Sequence, residues 1–253
     1  MNNVKTVFLI SLIFAMTSCQ SKELVKGVSP SEFYSDSSVV KLVLAASRGD
    51  TKHIDKLVAD GVDVNSVGKD GFTPLLGALI KRNKKGVARL LKYGANPNAI
   101  ITGGSLSGQS AIWIAAGMEN PYFLDIMLKH GGNPNYQNSK WHGDTLLYAA
   151  IFGHHENAID RVKTLIDAGA DINARGANGY TPLIQAAVIN QYRIIYYLLE
   201  AGANYKITST TKLSLISLVE RGSVVPRIDR GEYWRDKVVE FLRSKGEDIT
   251  LKN

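Results

Sequence analysis

The 253-residue chain is 45% hydrophobic and 21% charged, a balance that excludes a disordered polar chain and supports a sizeable buried core. Its formal charge of +7 is mild and includes no long Lys/Arg run, so it reads as a solvated surface with some pull on acidic partners or anionic headgroups. The single cysteine excludes an intramolecular disulfide, and stability has to come from packing.

The first residues stand apart from the rest. Lys5 precedes an apolar run from Val7 to Met16, followed by Thr17, Ser18 and Cys19. That run is too short to cross a bilayer, which takes about 20 helical residues, and predicts a cleaved export signal over residues 1–18. Its end resembles a bacterial lipobox, with Met16 where Leu is usual. The resemblance implies that Cys19 is lipidated and becomes the first mature residue. Gln20, in place of an aspartate, then implies a periplasm-facing lipoprotein of the outer membrane. Met16 leaves open an internal start that would keep the remaining chain in the cytoplasm. Residues 19–37 mix Ser, Lys, Pro and Gly with few apolar residues and predict the lipidated cysteine followed by a flexible tether.

From Ser38 the chain repeats itself. GFTPLLGAL from Gly71, GQSAIWIAA from Gly108, GDTLLYAAI from Gly143 and GYTPLIQAA from Gly179 align, with glycines 37, 35 and 36 residues apart. Each is followed by a second amphipathic stretch and a glycine-rich end, Gly94–Asn98, Gly131–Asn135, Gly169–Asn173 and Gly202–Lys206, and one such end, Gly61–Asn65, precedes the first segment. Thr73-Pro74 and Thr181-Pro182 place a capping hydroxyl and a φ-fixed proline where a helix begins. Ala115-Ala116, Ala149-Ala150 and Ala186-Ala187 let first helices approach closely, and VARLLKYG, LDIMLKHG, VKTLIDAG and IIYYLLEAG carry an apolar face at helical spacing. The glycine after each second helix supplies the left-handed residue that ends it, and the Asn or Asp beyond supports the next turn.

Over residues 38–253 this pattern resembles the ankyrin repeat. The resemblance implies an all-α repeat solenoid of about six helix-turn-helix units with connecting β-hairpin loops, at approximately 38–65, 66–98, 99–135, 136–173, 174–206 and 207–253. The first and last units are atypical, as solvent-facing caps should be. Ser110-Ala111 and Leu146 depart from Thr-Pro, and the stretches Ile100–Ser107, Gly153–Ala158 and around Val224–Pro226 are lengthened, so irregularity is expected there.

Chemistry is not visible in the sequence. His53, His130, His142, His154 and His155 lack two-ligand spacing, and there is no phosphate-cradling or nucleophile-elbow motif. Asp125, Glu156, Asp160 and Asp167 show no convergence with a base and an orienting group. No catalytic residue, metal or cofactor is expected.

Members of the resembled family bind proteins with hairpin tips and first-helix ends. Aligned residue by residue, these positions hold Lys69, Asp70, Phe72, Ile80 and Lys81; Leu106, Ser107, Gln109 and Met118; Trp141, His142, Asp144 and Phe152; and Asn178, Tyr180, Val188 and Ile189. The expected partner-binding set is Phe72, Ile80, Met118, Trp141, His142, Phe152, Tyr180, Val188 and Ile189, because interface cores are enriched in aromatics and Met. The alternative for Phe72, Ile80 and Phe152 is packing between repeats. Trp141 is the strongest anchor by residue type.

The chain is similar to ankyrin-repeat lipoproteins of Gram-negative bacteria, some of which are immunity proteins against phospholipase effectors of type VI secretion. The resemblance implies a protein-binding immunity protein, monomeric when free, with a membrane anchor and no nucleic-acid partner; a membrane-tethered scaffold for an envelope enzyme is the alternative.

Overall fold

Thr73 and Thr181 begin helices as their sequence context requires. In the computed structural model, which describes residues 29–138, 144–152, 157–222 and 231–251, their hydroxyls accept the Leu76 and Ile184 N–H groups at 3.2 and 3.3 Å. Pro74 and Pro182 occupy the first helical turn, where no backbone donor is needed. The departures keep the same device. Ser110 accepts the Trp113 N–H at 3.3 Å and Thr145 accepts that of Tyr148 at 3.2 Å, so neither Ala111 nor Leu146 disrupts its helix start.

The chain divides into two compact bodies, Met1–Asn133 and Pro134–Asn253. The first contains three helical pairs: α1 (Ser37–Arg48) with α2 (Thr51–Ala59), α3 (Pro74–Ile80) with α4 (Lys84–Lys92), and α5 (Ala111–Gly117) with α6 (Tyr122–Lys129). Within it α1 packs on α3 and α4, α3 on α5, and α4 on α2 and α6. Leu42, Ala46, Ile54, Ala78, Leu79, Leu90, Ile112, Ala115, Phe123 and Met127 are buried between these helices.

The second body contains α7 (Leu146–Phe152) with α8 (Ala158–Asp167), α9 (Pro182–Val188) with α10 (Tyr192–Glu200), and α11 (Leu215–Arg221) with α12 (Gly231–Ser244). Here α7 packs on α8 and α9, α9 on α10 and α11, and α10 on α8 and α12. Its core holds Leu146, Leu147, Val162, Leu165, Ile184, Ile195, Leu198, Leu215, Val238 and Leu242. Arg161 of α8 is fully buried and donates from Nη2 to the Ala150 carbonyl at 3.1 Å, satisfying the end of α7.

The hairpins hold little strand. Among the described residues, β1 (Gln137–Asn138) pairs antiparallel with β2 (Asp144–Thr145), and Ile100 bridges Ser110. The tips at Lys69–Gly71, Gly104–Leu106 and Ala177–Gly179 are single turns of 3-10 helix. Asp70 and Asn178 hold the left-handed conformation there, at φ 60° and 56°.

The asparagines after the second helices divide two tasks. Asp63, Asn96, Asp171 and Asn204 accept the N–H two residues on, which closes the local turn. Asn65 and Asn98 instead reach the next repeat: each side chain donates to a carbonyl, Gly94 or Gly131, and accepts an N–H, from Asn96 or Asn133. In the second body Asn135 does the same with Gly169 and Asp171, and Asn173 accepts the Asn204 N–H at 2.8 Å. Lys206 occupies the next such position.

The segment read as the end of a tether is folded. Ser29 and Glu32 form a reciprocal capping box around the turn Pro30–Glu32, and Tyr34 is buried with Val39 and Val43 while Phe33 packs on this cluster. The boundary at residue 37 is therefore corrected to one no later than Ser29. Cys19, the export signal and the first part of the tether lie outside the described residues.

Candidate protein-binding face

In the first body, Ile80 and Met118 are half-buried at the ends of α3 and α5, with part of each apolar side chain facing solvent. In the second, Tyr180 follows a hairpin tip while Val188 and Ile189 end α9, and all three are likewise half-buried. These residues keep the partial exposure a binding position requires.

Two residues of the expected partner-binding set, Phe72 and Phe152, are corrected to the packing alternative. Phe72 faces the chain itself: its ring stacks on Phe33 with centroids 4.4 Å apart and meets the edge of Tyr34 at 6.3 Å. Tyr34 donates its hydroxyl to the Phe72 carbonyl at 2.5 Å, and the Lys69 N–H donates to the Phe33 carbonyl at 2.9 Å. Burial raises the Tyr34 phenol well above its ordinary value, an effect that a backbone hydrogen bond at Gly68 partly offsets. Phe152 is 3% exposed and stacks on Tyr148, centroids 5.2 Å apart, so it serves the core. Gln109 and Asp144 are also buried, and Asp144 accepts the Ala177 N–H at 3.0 Å, a contact between neighbouring hairpins. Trp141 and His142 lie outside the described residues.

Two features were missed. Tyr148 is half-buried in the middle of α7, and burial raises its phenol too, with the Asp144 carboxylate adding to the shift; its column in the repeat alignment carried no signal of exposure. Phe33 and Tyr34 lie beside a Ser-Pro-Ser-Glu run whose capping-box spacing was legible. Among the described residues no group of three or more His, Cys, Asp or Glu is placed to hold a metal ion. A crevice in the second body, lined in part by Asn135, Gln137, Thr145 and Asp171, measures about 180 Å³, below the roughly 300 Å³ at which small-molecule sites begin. Among the described residues no helix is long and apolar enough to cross a membrane.

Comparison with known proteins agrees with this geometry. Two overlapping stretches, residues 42–138 and 112–209, match the family described as ankyrin repeats (3 copies). An ankyrin repeat protein of fowlpox virus is 35% identical over 164 residues, which cover 62% of this chain and 46% of the viral protein; the chain thus spans about half of that relative. Protein PhlB of Serratia liquefaciens is 28% identical over 183 residues, covering 72% of this chain and 75% of PhlB. The ankyrin repeat domain of human ASB11 superposes with a TM-score of 0.60 at 20% identity, covering 84% of this chain and 86% of that one. EF0377, an ankyrin repeat protein, gives 0.63 at 24% identity over 81% and 97% of the two chains. These two structures show the fold alone. With paired helices, left-handed glycines and an asparagine ladder recurring at the matched residues, the chain belongs to the ankyrin repeat family, and its repeats imply a protein partner.

Proposed function

We propose that this chain is an exported, lipid-anchored protein-binding module that neutralises a toxic lipase-class effector in the periplasm by covering it. The observation that carries the binding part is that each body by itself half-exposes apolar residues at the family's binding positions, Ile80 and Met118 in the first and Tyr180, Val188 and Ile189 in the second. The leader, with Cys19 at its end, supports export and anchoring. Similarity to ankyrin-repeat lipoproteins supports the choice of a toxin as partner. Inhibition then needs no inhibitor chemistry. A standard interface buries roughly 800 Å² on each partner, enough to close an active-site entrance.

Affinity purification from the host of the chain from Gln20 onward, beside its Tyr180→Ala and Trp141→Ala variants, tests the reading. Recovery of one stoichiometric lipase-like protein, weakened by about 2 kcal/mol or more in a variant that still folds, is the expected result. Many weak partners would favour the scaffold. Anchoring is tested separately: fatty-acid label should enter the native chain and be lost in Cys19→Ser.

A further inference from the structure

Arg48, Lys52, Arg82, Lys84 and Lys85 are all exposed, and they converge on the inter-helix turns of the first two repeats. The turns lie side by side, since the Asn83 side-chain amide donates to the Ser47 carbonyl at 3.3 Å. Lys81 belongs to the same turn. Lys84 extends the group towards the third repeat, its Nζ standing 5.0 Å from the centre of the Tyr122 ring. The carboxylates nearest in sequence to Lys52 are Asp50, which caps the His53 N–H at 3.0 Å, and Asp55, which is held by Arg89 and by the Tyr93 hydroxyl. Among the described residues none of the five cations joins a carboxylate within the 4.0 Å of an ion pair, unlike Arg89, Lys129 and Lys237.

Local structure opposes this choice of residues. Arg82 takes φ 52°, the left-handed conformation held by Gly49 and Asn190 at the equivalent turns of the first and fifth repeats, and an arginine there is strained where glycine is not. Lys84 and Lys85 open α4, whose first turn has no acidic residue, although the positive end of a helix favours carboxylates. Local rules broken together at one place point to a use for the charge.

We propose that this turn edge docks on an anionic phospholipid surface. Clusters of four to eight exposed Lys and Arg are drawn to acidic headgroups. Exposed lysine point charges suit headgroups that move laterally, whereas a shaped protein contact favours held Arg forks and is depleted in Lys. The edge shares no residue with the apolar binding set, Lys81 being only the sequence neighbour of Ile80, and docking there requires neither the lipid anchor nor the toxin.

The test uses the chain from Gln20 onward, free of lipid and leader, with circular dichroism and thermal melting as checks on folding. It is sedimented with vesicles of phosphatidylcholine alone or with added phosphatidylglycerol. The native chain should pellet only with the anionic vesicles and be released at high salt. Replacing Lys52→Gln, Arg82→Asn, Lys84→Gln and Lys85→Gln together should lower partitioning on the order of 1,000-fold. A second set on the other body, Lys163→Gln, Arg193→Gln, Lys206→Gln and Lys212→Gln, should leave it nearly unchanged. Absence of an anionic preference, retention of binding by the first set, or equal loss with the second set overturns the proposal, as does binding of acidic proteins but not vesicles.

Discussion

Tyr34 shows at residue scale what a single buried hydroxyl decides. Its ring helps to cover Val39 and Val43, while its oxygen satisfies the Phe72 carbonyl. Tyr34→Phe keeps the packing and should cost about 1 kcal/mol of stability in denaturant unfolding, the net value of one hydrogen bond. The pH dependence has a definite sign. Burial raises the folded phenol above its unfolded value, so its contribution is complete below about pH 10 and is lost as pH rises beyond that. Native protein should lose more stability than Tyr34→Phe between about pH 9 and about pH 11, Tyr148 and Tyr192 contributing alike to both. Arg82 makes the opposite prediction. Arg82→Asn, which keeps φ 52° with less strain, should raise stability by up to about 1 kcal/mol and the melting temperature with it. Gly86 in α4 is set by closeness: a Cβ would run into the Ala46 carbonyl of α1. Gly86→Ala should therefore destabilise, because overpacking costs about 1–3 kcal/mol and the gain in helix propensity is about 1 kcal/mol.

At the scale of elements, helix starts were legible because capping is local. A hydroxyl three residues before its target amide needs no knowledge of the fold, and Ser110 and Thr145 kept that role where Pro was absent. Thr181→Ala should cost about 1 kcal/mol in thermal unfolding. The asparagine ladder was only half legible. The local turn at Asp63 or Asn96 follows from chain geometry, but the bonds of Asn98 to Gly131 and Asn133 span 33 and 35 residues. Asn98→Ala should cost about 1 kcal/mol, since water can reach the freed groups. Two residues, Phe72 and Phe152, show the limit of alignment. Both occupy binding columns, yet Phe72 is covered by Phe33 from outside the repeat pattern, and Phe152 is buried against Tyr148 of its own helix.

For the whole molecule, the N-terminal segment is part of the first body's structure. A chain beginning at Ser37 would uncover Val39, Val43 and Phe72, and should be less stable by roughly 2–3 kcal/mol, the value of burying an aromatic side chain. Differential scanning calorimetry of the two lengths measures this. The amino-acid sequence by itself determined the family, the paired helices and their order, because caps, left-handed glycines and apolar faces act within a repeat or between neighbours. Only the tertiary structure decided which binding-column residues meet solvent, that Phe33 and Tyr34 fold onto the first repeat, and that five separate cations share one edge. Exposure and charge density depend on what residues far away in the chain bring alongside, and a repeating local pattern does not encode that.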